Sequence, residues 1–121
     1  MEPAEANELL GRAVFLDVRE PYEWEAGHVE GAVHIPIGQI TLRVAELDPR
    51  DDVVVVCQVG QRSALVTDWL NERGFNAQNL EGGLAAWSAQ GLPLVAEAPD
   101  GRLVDGWARD LPGERPDPDA G

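Results

Sequence analysis

Lysine is missing from this chain altogether, and cysteine occurs once. All nine basic residues are arginine, set against 22 aspartates and glutamates, for a formal net charge of −13. So little positive charge excludes nucleic acid as a partner, because phosphate binding rests on a basic surface that displaces counterions; an anionic lipid surface is disfavoured on the same ground. A solitary thiol cannot close an internal disulfide, so nothing here asks for an oxidising compartment, and the thiol is free to react. No apolar run approaches the roughly 20 residues that span a bilayer. The opening MEPAEANELL also lacks the basic and apolar regions of a secretory signal. These absences point to the cytoplasm. The missing lysine itself carries no functional weight, since codon bias produces it as readily as any function.

What is present suits one globular domain: 121 residues, 44% of them hydrophobic, with glycine and proline scattered rather than periodic. AVFLDV (Ala13 to Val18) reads as a buried strand, and REPYEWE after it as a Pro-initiated helical turn whose acidic side is solvated. A second strand is expected from Ala32 to Ile35, stopped by Pro36, and a helix from Gln39 to Leu47, with Ile40, Val44 and Leu47 at helical spacing. Val53 to Val56 is a third strand. From Ser63 a helix is predicted to carry Leu65, Val66, Trp69 and Leu70 on one face and to stop at Gly74. Asn76 to Leu80 makes a fourth strand, and EGGLAAWSAQG a short helix opened by a glycine pair and closed at Gly91. Strands alternating with helices at this pace predict an α/β fold with a central, mainly parallel sheet covered by helices on both faces.

The chemistry concentrates in VVVVCQVGQRS, Val53 to Ser63. A parallel strand that is apolar throughout is buried, and its C-terminal end is where α/β proteins place ligands. Cys57 stands at that end. If Ser63 caps or begins the next helix, residues Gln58, Val59, Gly60, Gln61 and Arg62 must wrap around the thiol with backbone N–H groups turned inward. Gly60 supplies the backbone freedom for so tight a loop. The positive end of the helix and Arg62 both draw the sulfur toward its nucleophilic, charged form. The competing reading is a small hydrophobe that ends a strand, since free cysteine is among the most buried residue types.

At these residues the sequence resembles the rhodanese (sulfurtransferase) family. CQVGQRSALVTDWLNERGF and NLEGGLAAW resemble it downstream, as does LDVREPYEWEAGHVEGAVHIP upstream, in the family's order and spacing from about Val14 to Leu94. The resemblance implies a sulfurtransferase that takes a sulfane sulfur from thiosulfate or a persulfide donor. Cys57 would carry it as a persulfide and pass it to a thiophilic acceptor, cyanide or a thiol. Residues 58 to 62 match the loop whose amides cradle that sulfur, with Ser63 after it, and no metal or other cofactor is implied. Related cell-cycle phosphatases place five residues between cysteine and arginine; here four intervene, a cradle sized for one sulfur rather than a tetrahedral phosphate. A phosphatase or arsenate reductase is therefore disfavoured. Many thiosulfate-using members have arginine where this chain has Gln58, which weakens the case for a doubly charged donor and makes a protein or small-molecule persulfide a rival. The alternative function is a low-turnover rhodanese-fold binding or regulatory module, or a persulfide carrier.

Asp17 and Arg19 are read first as a structural tie between loops at the sheet edge, because buried charges need partners; the alternative has Arg19 adding positive potential near the pocket. His28 and His34 lack zinc-like spacing and are expected to be hydrogen-bonded structural residues. Trp69 and Trp87 are assigned to the core, and Trp24 to the core or the mouth of the pocket. The domain is taken as residues 1–95. Residues 96–121 are an acidic Pro/Gly-rich tail, mobile over its last ten or so residues, that Trp107 could pin back on the domain. MEPAEANELL offers little room for the short first strand that family members often carry. Nothing in the residues requires more than a monomer.

Overall fold

The computed structural model describes residues 1–108. Its elements are α1 (Pro3–Glu8), β1 (Val14–Asp17), α2 (Pro21–Ala26), β2 (Val33–His34), α3 (Ile40–Arg43), β3 (Asp52–Val56), α4 (Gln61–Asn71), β4 (Asn76–Asn79), α5 (Gly83–Ala89), β5 (Val95–Glu97) and β6 (Leu103–Asp105). The first four strands form one parallel sheet in the order β2-β1-β3-β4. The α/β fold expected from the alternating pattern is the one found.

Side-chain alternation along β3 divides the core in two. Val53, Val55 and Cys57 face α3 and α4, packing with Leu16, Ile40, Val66 and Leu70. Val54 and Val56 face α1 and α5, packing with Phe15, Leu80, Leu84 and Trp87. A strand buried on both faces must be apolar at every position, hence the unbroken valines. The period of two then assigns the sulfur, two residues beyond Val55, to the side where α4 begins.

Three local expectations differ from what is found. The helix predicted over residues 39–47 is broken into 3-10 turns at Ile37–Gln39 and Val44–Glu46 around the single turn of α3. β-branched Ile40, Thr41 and Val44 weaken a continuous helix, and the tighter turns still bury Ile40 and Leu47. α4 begins at Gln61, not Ser63, with Gly60 in the left-handed region (φ +97°) as its N-cap residue. Its inner stripe is Ser63, Val66, Thr67 and Leu70, spaced i, i+3, i+4, i+7. Leu65 lies off that stripe and is 67% exposed, contrary to its predicted inward face. Trp87 is fully buried, edge-on to Phe15 with ring centroids 6.0 Å apart. Trp69 is half-buried, with the Arg73 guanidinium 3.7 Å over its ring.

The change of composition at Ala96 does not coincide with an element boundary. β5 runs through it and pairs antiparallel with β6 as a hairpin apart from the main sheet. The hairpin is tied down by backbone. His28 and Val95 exchange N–H···O bonds of 2.9 and 2.8 Å, and the Trp107 N–H donates to the Ala26 carbonyl at 3.2 Å. Gly27 has no room for a side chain there, because a Cβ would collide with the Trp107 backbone. It is thus the main chain of Trp107 that holds this segment. The terminal ten residues, expected to be mobile, lie outside the described residues.

Candidate active site

Cys57 follows the last residue of β3 and is fully buried. Its sulfur accepts hydrogen bonds from the N–H groups of Gly60 (3.1 Å) and Ser63 (3.3 Å). Ser63 is the third residue of α4, whose amide an N-cap side chain would ordinarily satisfy. Gly60 has no side chain to offer, so the cysteine sulfur takes that place. A helix end bonded in this way favours negative charge on the acceptor.

The Ser63 hydroxyl stands 3.1 Å from the sulfur and donates to Asn79 Oδ1 at 2.5 Å, while Asn79 Nδ2 donates to the Gly60 carbonyl at 3.1 Å. With one proton between two neighbours, Ser63 either accepts from the thiol while donating to Asn79, or turns its proton to the sulfur once the thiol has lost its own. Asn79 therefore holds both the hydroxyl and the loop.

The loop is clamped from behind by α5. The N–H groups of Leu84 and Ala85 donate to the carbonyls of Cys57 and Gln58, both at 2.9 Å. Gly83 makes this approach possible. It adopts φ +63°, and a Cβ there would lie 2.5 Å from the Gln58 carbonyl carbon and oxygen. The glycine pair of LEGGLAAW is thus the seat on which the cysteine loop rests.

Two arginines flank the site, each with a carboxylate. Arg19 is fully buried, forked onto Asp17 by Nε (3.0 Å) and Nη2 (2.8 Å), and Nη2 also donates to the Gly27 carbonyl at 2.6 Å. Its Nη1 lies 3.5 Å from Gln58 Oε1. Arg62 is forked onto Glu23 of α2 at 2.7 and 2.9 Å. Burial works to raise the Glu23 carboxyl, but hydrogen bonds from Arg62 and from the Glu20 N–H outweigh it and hold the group below its usual range. The hydrogen bond to Glu23 correspondingly holds Arg62 above its ordinary value. The acidic α2 is therefore not simply a solvated surface, since Glu23 is buried.

Of the residues singled out from sequence, Cys57, Gly60 and Ser63 meet at the sulfur, and Gln58 lies buried against Arg19. Val59 points outward, 56% exposed. Asp17 and Arg19 form a buried pair beside the loop. Trp24 stacks with both His28 and His34, its ring centroid 3.6 and 4.7 Å from theirs with near-parallel planes. Each imidazole also meets a backbone carbonyl, His28 Nδ1 that of Trp24 and His34 Nε2 that of Arg19. Among the described residues no three metal-ligating side chains converge. Sequence reasoning missed Glu23, Asn79 and the clamping amides of α5. Glu20 and Glu23 do have the spacing of a capping box, which the structure forms, but the partner across 39 residues has no local signature.

The family model described as "Rhodanese-like domain" matches residues 2–90. The Bacillus subtilis protein YtwF, provisionally named a sulfurtransferase, is 39% identical over 92 residues, 76% of this chain and 86% of that protein. A protein of Allochromatium vinosum named sulfurtransferase is 36% identical over 84 residues, 69% of this chain and 78% of its own. The crystal structure of a rhodanese-related protein from Thermoplasma volcanium superposes with a TM-score of 0.78 at 32% identity, covering 80% of this chain and 97% of that one. The similarity also extends to 31% of the length of a Salmonella newport tRNA uridine(34) hydroxylase.

Proposed function

The chain belongs to the rhodanese-like domain family, and from that premise we propose that it is a sulfurtransferase working through a persulfide on Cys57. The observation that carries this reading is a sulfur at the end of a buried strand, hydrogen-bonded by the amides of Gly60 and Ser63. In the first step the Cys57 thiolate attacks the sulfane sulfur of thiosulfate or of a persulfide. An S–S bond forms to Cys57 as the donor's own bond to that sulfur breaks, and the electron pair leaves with sulfite or a thiolate. In the second step a thiol or cyanide attacks the outer sulfur and Cys57 departs as thiolate.

The two fixed amides suit both steps, because negative charge resides on the Cys57 sulfur before attack and again on departure. An outer sulfur would extend about 2 Å beyond it. N–H dipoles stabilise such an anion without a proton that would quench it. With four residues between Cys57 and Arg62, the loop fits one sulfur better than a phosphate. Small donors and acceptors, or a protein persulfide, are the partners this chemistry asks for. A reducing compartment such as the cytoplasm would keep the single thiol available.

The test is direct. Purified protein incubated with thiosulfate or a small persulfide should gain one sulfur atom by intact mass, and Cys57→Ser should gain none. If the wild type gains no sulfur from any donor, the protein is a binding or regulatory module on the same fold.

A further inference from the structure

Among the described residues, the side chains around the sulfur bring positive charge only in neutralised form. Arg19 is wholly buried on Asp17, Arg62 is forked onto Glu23, and Gln58 is uncharged. The two ion pairs differ in access: the Arg19 side chain is 0% exposed, whereas that of Arg62 is 33% exposed and can be reached from solvent. Arg62 directly precedes Ser63, whose amide bonds the sulfur, so this ion pair belongs to the loop around the reacting atom. Glu23 is held from two sides, by Arg62 and by the Glu20 N–H at 3.1 Å, and cannot swing away without breaking the capping box of α2.

We propose that Glu23 sets the charge of the sulfur donor: by neutralising Arg62 it favours a monoanionic persulfide over the thiosulfate dianion. The proposal rests on the sulfurtransferase reading and names the donor class for it. With a persulfide RSS⁻, the Cys57 thiolate bonds to the outer sulfur, the donor's S–S bond breaks, and RS⁻ leaves with the electron pair. With thiosulfate the same bond forms and sulfite, SO₃²⁻, leaves. Charge is conserved in both, but two negative charges meet in the first encounter and three in the second. A guanidinium without a carboxylate would offset the extra charge; one already bonded at both Nη atoms to Glu23 offers little to a second anion. Glu23 acts here through Arg62 and is a positioning residue.

Glu23→Gln removes the charge while keeping an oxygen that accepts from Arg62 and from Glu20. Single-turnover loading of Cys57, followed by intact mass, would be run with thiosulfate and with the persulfide of 2-mercaptoethanol. The half-saturating thiosulfate concentration is expected to fall about five- to tenfold in the variant. That for the persulfide should move by less than about twofold, with both maximal rates little changed. In an Arg62→Gln background the effect of Glu23→Gln should vanish. Equal changes for both donors, no change with thiosulfate, or persistence without Arg62 would overturn the proposal. Calorimetric binding of thiosulfate to Cys57→Ser and to Cys57→Ser/Glu23→Gln supplies an arm without chemistry: tighter binding to the second is expected, and equal binding overturns the proposal. Failure of the wild type to load from either donor would count against the sulfurtransferase reading, while the binding comparison would still decide the role of Glu23.

Discussion

Two helices begin at the cysteine loop with the same defect. α4 and α5 are each preceded by a glycine in the left-handed region, Gly60 at φ +97° and Gly82 at φ +75°, and neither has a side-chain cap. α4 resolves the amide of Ser63, together with that of its N-cap residue Gly60, on the sulfur of Cys57; α5 resolves those of Leu84 and Ala85 on the carbonyl oxygens of Cys57 and Gln58. One helix end thus meets the reactive face of the loop and the other its backbone face. An amide aimed at a side-chain sulfur can follow that sulfur through a change of charge, whereas an amide aimed at a carbonyl only holds the chain still. The same local motif does chemistry at one end and positioning at the other.

That contrast can be broken from either side. The largest effect is expected at Gly83→Ala, where a Cβ would press on the Gln58 carbonyl in a backbone conformation unfavourable to alanine. We expect a loss of about 3 kcal/mol or more in urea unfolding, because rigid backbone is the obstacle. A loss below about 1 kcal/mol would mean that α5 can retreat from the loop at little cost. On the α4 side, Ser63→Ala leaves the amide at the sulfur but removes the hydroxyl between Cys57 and Asn79. Sulfur loading should slow about three- to tenfold, the worth of one hydrogen bond in the reaction, with a stability change of about 1 kcal/mol. An unchanged loading rate would assign the stabilisation of the sulfur to the amides alone.

The smallest effect concerns pH. The Glu23 carboxyl lies below its ordinary value of 4.5 in the folded protein, so the unfolded chain takes up a proton first as the solution is acidified. Its contribution to stability is therefore fully present above that value and is lost as pH falls through the lower folded value. Thermal melts should show any advantage of wild type over Glu23→Gln to be constant at neutral pH and to shrink in acid below 4.5. An advantage independent of pH down to the acid limit would detach it from the charge of the pair.

Much of this was legible in the residues. The valine run, the position of Cys57 after it and the glycine before Arg62 identify the loop, because burial on both faces of a parallel strand writes itself as unbroken apolar sequence. Leu65 was misplaced because one apolar residue beside a stripe reads like part of it until the helix start is known; moving that start to Gln61 leaves the stripe at Ser63, Val66, Thr67 and Leu70. The helix expected over residues 39–47 failed for a different reason. Its apolar spacing was real, but β-branched residues and the need to reach the core divided it. Glu23 looked like one more solvated carboxylate among 22 acidic residues, because its capping-box spacing from Glu20 marks a helix start and says nothing of a partner 39 positions away.

Local order along the chain determined which strand carries the thiol, that a tight loop follows it, and that β3 sends Val55 and Cys57 to the same face. Those are properties of neighbours and of the period of two. Tertiary structure alone decided what meets the sulfur and its loop. Asn79 arrives from 16 positions beyond Ser63, Glu23 from 39 positions before Arg62, and the α5 amides come up from behind the loop. The physical reason is that hydrogen bonds and charge pairs act over a few ångströms in space whatever their separation in sequence. The charge left at the thiol is therefore the sum of what the fold delivers there.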